Sequence, residues 1–181
     1  MGKRRTARER ALQALYELEF NEIGPEAALS ASGPAGAGPE EAAAYAGWLV
    51  RGVLSRKEEI DALIQATSRN WRVARMTPID RNLLRLAALE MLEEAATLPA
   101  AVVINEAIEI ARRFSGEESA VFVNGVLDAL RKRLASGKSI VKADEHEPRP
   151  ETERPASVQP RVRGGRRGAK KRPGAGPGRK A

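Results

Sequence analysis

Four arginines stand close together near the start of the sequence: Arg4, Arg5, Arg8 and Arg10. A guanidinium group is planar and can donate two parallel hydrogen bonds to one phosphate, so such a cluster is typical of a surface that binds nucleic acid. Apolar residues follow at helical spacing at Ala11, Leu15 and Leu18. They predict an amphipathic helix that presents the arginines from a fixed support. These residues alone leave open the alternative of a solvated, frayed N-terminus.

The sequence lacks the residues from which most catalytic and metal sites are built. It contains no cysteine and a single histidine, His146, which lies between Glu145 and Glu147 in a polar segment. Glu106 and Glu109 could contribute to a carboxylate metal site, but such a site also needs carboxylates and a histidine from other helices. We therefore predict no catalytic residue, no metal site and no cofactor, and so a protein that is not an enzyme.

Charge is distributed unevenly along the 181 residues, whose formal net charge is +7. Residues 137–181 contain 13 Lys and Arg against 5 Asp and Glu, whereas residues 1–136 contain 18 basic and 19 acidic side chains. Because residues 137–181 have few large apolar side chains, they are predicted to form a disordered basic tail after one domain over 1–136. No apolar run approaches the roughly 18 residues that a membrane helix needs, and the chain is expected to be soluble and cytoplasmic.

Helical patterns dominate the domain, and no strand pattern competes with them. Thr77 followed by Pro78 predicts a helix start, because threonine caps helices and proline suits their first turn. The expected segments are a helix from about Thr6 to Asn21, a short helix over 26–30, a flexible Gly- and Pro-rich linker over 31–39, helical sequence over 40–68 with a break near 54–57, and helices over 77–91, 100–114 and 117–135. The predicted fold is an all-α bundle of about six or seven helices.

The last of these helices contains two residues that are unusual in a helix interior. An asparagine there is mildly unfavourable, so Asn124 either bonds a neighbouring loop or contacts RNA. Gly125 weakens the helix by about 1 kcal/mol relative to alanine. It suggests that another helix or a ligand approaches closely at this point.

Four segments together resemble the NusB family of bacterial transcription antitermination factors: residues 5–16 (RTARERALQALY), 79–92 (IDRNLLRLAALEML), 103–114 (VINEAIEIARRF) and 122–128 (FVNGVLD). The resemblance covers about residues 4–136. It implies an all-α fold of two packed helical subdomains. It further implies binding of the single-stranded boxA element of nascent transcripts, especially ribosomal RNA leaders, and a heterodimer with the ribosomal protein NusE. That pair would join NusA, NusG and RNA polymerase.

The resemblance also implies which residues form these contacts. The implied RNA-binding residues are Arg4, Arg5, Arg8, Arg10, Glu118, Phe122 and Asn124. Tyr16 and Asp80 match positions that face NusE. The family commonly has aspartate at Glu118 and often has glutamate at Asp80. Arg112 and Arg113 either add phosphate contacts or form a solvated helix end. If Lys3 and the four N-terminal arginines all bind phosphates, the affinity should depend on salt with a logarithmic slope of roughly −3 to −4.

Two other classes of protein are alternatives to a non-enzymatic RNA-binding factor. RNA cytosine methyltransferases carry a similar helical domain ahead of a catalytic one, but no doubly wound domain or catalytic cysteine follows Ser136 here. A helical adaptor between proteins, with an incidental basic tail, is the second alternative. A homodimer that hides the RNA surface also stays open.

Overall fold

The computed structural model describes residues 2–33, 40–68, 70–93 and 98–137. Within those segments the chain forms seven α-helices and one 3-10 turn over Val73–Arg75, with no strand. The helices are α1 Lys3–Phe20, α2 Pro25–Ala31, α3 Glu40–Ser55, α4 Lys57–Thr67, α5 Pro78–Leu92, α6 Ala100–Phe114 and α7 Glu117–Ala135. The all-α prediction is confirmed. Most of the predicted linker (34–39) and almost all of the predicted tail (138–181) lie outside the described residues.

The helix boundaries follow the local signals in the sequence. The backbone N–H of Asp80 donates to Thr77 Oγ1 at 3.1 Å, so Thr77 caps α5 and Pro78 occupies its first turn. The predicted break between α3 and α4 falls at Arg56. Gly116 separates α6 from α7 with φ of 100°, a left-handed conformation that glycine adopts without strain.

Helix α5 lies at the centre of the bundle. It packs against α1, α3, α4, α6 and α7, and every residue from 82 to 90 is buried. Buried apolar side chains from all seven helices form one continuous core among the described residues. The two helical groups that the resemblance implied are therefore packed through a shared interior. No helix in the described segments is both long enough and apolar enough to cross a bilayer.

A charged network runs through this core between α1, α3 and α5. The Arg8 guanidinium donates to both carboxylate oxygens of Glu90, from Nε at 2.9 Å and from a terminal nitrogen at 2.8 Å. The Tyr45 hydroxyl donates to the same carboxylate. Only 3% of the Arg8 surface and 3% of the Glu90 surface are exposed. The hydrogen-bond donors of Arg8 are thus used inside the protein, which favours a structural role for Arg8 over the predicted contact with RNA.

The network also changes how its members hold their protons. Burial by itself lowers the pKa of Arg8, but the hydrogen bonds and the negative charge of Glu90 outweigh it, and the pKa is raised. Burial, followed by the hydrogen bond to Glu90, raises the pKa of Tyr45. Both groups therefore keep their protons throughout the neutral range, and Tyr45 stays a hydrogen-bond donor to Glu90.

A second network fixes the end of α1 against α5 and α4. Glu19 accepts hydrogen bonds from the side chains of Arg81, Asn82 and Arg85. Arg85 also donates to both oxygens of Asp61, at 2.7 and 2.8 Å. Together the two networks determine the rotation of α1 about its axis, and so the direction in which each of its arginines points.

We predict that Arg8→Met lowers the free energy of unfolding by about 3–5 kcal/mol, because the Glu90 carboxylate is left buried without its partner. The double variant Arg8→Met/Glu90→Gln should recover most of this loss, since no uncompensated charge remains. Chemical denaturation measures both. The exposed Arg112→Met serves as the control and should leave the unfolding midpoint nearly unchanged. An unchanged midpoint for Arg8→Met alone would contradict the structural role.

Candidate RNA-binding surface

The N-terminal arginines leave α1 in different directions. The Arg4 guanidinium carbon lies 5.4 Å from the centre of the Tyr45 ring, over α3. Arg10 points toward α2, where its guanidinium donates to the backbone oxygen of Leu29 at 3.4 Å. Arginine near the last carbonyl groups of a helix is a common form of C-terminal capping. This contact corrects the expectation that Arg10 joins the other arginines in one cluster.

Arg5 points to α6 and lines a cleft between α1 and α6. Its guanidinium donates to Glu106 with two hydrogen bonds, at 2.9 and 2.7 Å. Across the same cleft, Arg113 of α6 pairs with Glu9 of α1 at 2.7 Å. The cleft has a volume of about 270 Å³, and the residues that line it are Arg5, Glu9, Glu109, Ile110, Arg112 and Arg113. We call it the α1–α6 cleft.

The arginines of the α1–α6 cleft are paired but accessible. The side chains of Arg5 and Arg113 are 29% and 53% exposed, unlike the buried Arg8. The hydrogen bonds from Arg5 lower the pKa of Glu106, so the carboxylate is fully ionised at neutral pH. Ion pairs in contact with water contribute little net stability. A phosphate can therefore take the place of a carboxylate on these guanidinium groups with little loss of protein stability.

The end of α6 connects this cleft to the beginning of α7. The Arg112 Nε donates to Glu117 at 2.7 Å, and Glu118 follows with its side chain exposed. Asn124 is exposed on the same helix, whereas Phe122 is half-buried. Residues two apart point about 160° away from each other around an α-helix. Phe122 and Asn124 therefore lie on opposite flanks of α7, so these two predicted RNA-binding residues do not share one face of the helix.

The Phe122 flank carries an aromatic residue that the sequence analysis did not select. Trp71, in the segment between α4 and the 3-10 turn, has its ring centre 5.8 Å from that of Phe122 in an edge-to-face arrangement. Trp71 is 58% exposed. The sequence signal that could have revealed it is a tryptophan between two helices, followed at once by Arg72 and then by Arg75.

The two residues expected to face NusE differ in accessibility. Tyr16 is 40% exposed and packs on Phe20, which is 61% exposed, with ring centres 4.9 Å apart. Asp80 is buried, and its carboxylate accepts a hydrogen bond from the Ser119 hydroxyl of α7. Tyr16 is thus available to a partner. The Asp80 carboxylate instead joins α5 to α7, and a role for this residue in partner binding stays a prediction.

Comparison with known proteins defines the class to which this fold and surface belong. A family model described as the NusB family matches residues 5–132. The transcription antitermination protein NusB of Myxococcus xanthus is 48% identical over 138 residues, which cover 74% of this chain and 98% of that protein. The solved structure of T. maritima NusB is 37% identical, with a TM-score of 0.66, and the match covers 71% of this chain and 90% of that one.

A third similar chain belongs to a solved complex, the crystal structure of antitermination factors NusB and NusE in complex with dsRNA. The matched chain is 27% identical, with a TM-score of 0.64, and the match covers 72% of this chain and 96% of that one. The class is therefore that of all-α transcription antitermination factors, which are not enzymes. This chain belongs to the NusB family.

Gly125 has open space around it, so the expected close approach of another helix is wrong. Apart from its chain neighbours and the nearby backbone of α7, a Cβ atom built at this position meets no atom of the described residues within 4 Å. We therefore predict that Gly125→Ala raises the free energy of unfolding by about 0.5–1 kcal/mol, since alanine favours the helix. Thermal unfolding measures this change. A destabilised Gly125→Ala protein would show that the helix geometry at this position has been misread.

Proposed function

We propose that this protein binds the single-stranded boxA element of nascent ribosomal RNA transcripts together with NusE. In the cytoplasm, the pair would join NusA, NusG and RNA polymerase in an antitermination complex. Membership of the NusB family supports this proposal, as does the solved relative that contains NusB, NusE and dsRNA. The resemblance of residues 5–16 and 122–128 to the family supports boxA as the proposed target.

The observation that carries the proposal is the convergence of Arg5, Arg112 and Arg113 in the α1–α6 cleft, beside the beginning of α7. Phosphates of a single strand would exchange with the carboxylates that hold these arginines. Phosphate contacts supply affinity, whereas contacts to base edges supply sequence preference. In this proposal Arg112 and Arg113 replace Arg8 and Arg10 as phosphate ligands. The number of phosphate contacts is unchanged, so the expected logarithmic salt slope stays at roughly −3 to −4.

Glu118 and Asn124 are the polar side chains of α7 best suited to recognise bases. A carboxylate accepts hydrogen bonds from the amino groups of cytosine or adenine, and an amide can both donate and accept. Both side chains are exposed, and the bases of an unpaired strand present their edges freely. Because the two residues lie on different sides of α7, they would contact different nucleotides.

Tyr16 and Phe20 form the surface proposed for NusE. They are adjacent on one side of α1, one turn apart, and both rings are exposed to solvent. Exposed aromatic side chains that are in contact with each other are typical anchors of protein interfaces. This aromatic pair lies at the C-terminal end of α1, whereas Arg5 lies near its beginning. One helix would then serve both partners at once.

We expect the full-length protein to bind a boxA oligonucleotide more tightly than a scrambled one of equal composition, as measured by fluorescence anisotropy. Arg5→Ala should weaken both complexes and reduce the magnitude of the salt slope by roughly 0.7, because one phosphate contact is lost. Arg51→Ala, which removes an exposed, carboxylate-paired arginine from α3, is the matched control. Equal binding of the two oligonucleotides would contradict boxA recognition.

A second experiment tests the partner surface. Addition of NusE should increase the affinity of the wild-type protein for boxA RNA, and Tyr16→Ala should diminish this gain. In the absence of NusE, Tyr16→Ala should bind RNA as the wild type does. If the variant keeps the full effect of NusE, the Tyr16 surface is not where NusE binds.

A further inference from the structure

The exposed Trp71 and the half-buried Phe122 form an aromatic pair on the flank of α7 that faces away from Asn124. Their ring centres are 5.8 Å apart and their planes are inclined at 71°. Phe122 also packs against the core, so it lies between the core and Trp71 and supports the tryptophan ring. More than half of the Trp71 surface remains in contact with water. A tryptophan ring that is not buried by the fold is available to stack on another flat group.

The backbone that carries Trp71 is fixed by hydrogen bonds. The Gln65 side chain donates to the Trp71 carbonyl at 3.2 Å and accepts from the backbone N–H of Val73 at 3.0 Å. The Ser68 hydroxyl also donates to the Trp71 carbonyl, at 3.1 Å. Because the Trp71 carbonyl and the backbone that follows it are already held by these hydrogen bonds, a ligand that stacks on the ring has little ordering entropy to overcome.

The cationic residues beside this pair differ from those of the α1–α6 cleft. Arg72 and Arg75 follow the tryptophan in sequence and are exposed. Neither forms an ion pair with a carboxylate of the described residues, whereas Arg5, Arg112 and Arg113 all do. A phosphate that approaches Arg72 or Arg75 therefore displaces no described carboxylate. An exposed aromatic ring with adjacent unpaired arginines is the combination that proteins use to bind single-stranded nucleic acid.

From these observations we infer that Trp71, supported by Phe122, is a stacking site for an unpaired RNA base, with Arg72 and Arg75 as ligands of the flanking phosphates. This inference rests on the proposed RNA-binding function and extends it to a segment outside α1, α6 and α7. Glu118 lies one helical turn before Phe122 and is exposed. The strand would thus run from the α1–α6 cleft across the beginning of α7 to Trp71.

The stacking site is tested with RNA oligonucleotides that are either intact or abasic at successive positions. Trp71→Ala should bind intact single-stranded RNA about 5- to 150-fold more weakly than the wild type, the range for loss of one stacked base. Trp71→Phe should keep most of the affinity, because it retains an aromatic face. Leu54→Ala, which shortens an exposed apolar side chain on α3, is the control and should bind as the wild type does.

The abasic strands separate stacking from a general effect on the fold. At one position the wild type should lose affinity for the abasic strand, and Trp71→Ala should bind that strand as well as the intact one. If Trp71→Ala binds intact RNA with the affinity of the wild type, the inference is wrong. It is also wrong if the variant's affinity falls below that of the wild type by the same factor on every abasic strand. Failure of the wild type to bind any RNA would instead contradict the proposed function.

A measurement on the unmodified protein covers the case in which Trp71→Ala does not fold. The chain has two tryptophans, and Trp48 is half-buried against Tyr45. Quenching of the fluorescence by acrylamide therefore reports mainly on Trp71. Saturation with intact RNA should reduce this quenching, because a stacked base covers the ring. Quenching that is unchanged at saturation would overturn the inference.

Discussion

The buried pair of Arg8 and Glu90 is the interaction on which the arrangement of the surface depends. It joins α1 to the central helix α5, and Tyr45 adds α3 to the same carboxylate. A buried charge without its partner is costly, so α1 has one favourable rotation about its axis. That rotation directs Arg5 toward α6 and Arg10 toward α2. The same helix consequently carries a structural arginine and arginines that are available to a ligand.

The accessible arginines are held by carboxylates, and this has a consequence for recognition. A polyanion that makes only phosphate contacts must compete with Glu106, Glu9 and Glu117 for the guanidinium groups. Such competition lowers the affinity for any strand that offers nothing more. A strand whose bases also contact α7 or stack on Trp71 gains additional energy. The paired state of the cleft would thus lower the affinity for every strand alike, and contacts of the bases would decide which strand binds most tightly.

Much of the fold could be predicted from the sequence, because the helix boundaries are set by local signals. Thr77 and Pro78 act within one helical turn and perform the predicted role, and Gly116 separates α6 from α7 in the same local way. The burial of Arg8 and Asp80 could not be predicted in this way. Their partners, Glu90 and Ser119, are 82 and 39 residues away in sequence. A charged residue in a basic cluster looks exposed until the fold brings a carboxylate to it.

In the candidate site, too, features set by neighbouring residues can be predicted from the sequence, whereas contacts between distant residues cannot. Helical periodicity by itself separates Phe122 from Asn124, although both belong to the family pattern FVNG. The contact between Phe122 and Trp71 joins residues from distant parts of the sequence, so Trp71 was not selected from the sequence. The sequence left open whether Arg112 and Arg113 contact phosphates or form a solvated helix end. Their position in one cleft with Arg5 favours the phosphate contacts.

The central claim is that Arg5 exchanges a carboxylate for RNA phosphate while Arg8 remains an internal structural group. The most direct test is a titration with boxA RNA that follows the arginine Nε–H signals by NMR in the isotopically labelled protein. We expect the Arg5 signal to shift progressively to saturation, and the Arg8 signal to keep its position and its slow exchange with solvent. An Arg8 signal that moves together with that of Arg5 would contradict the central claim.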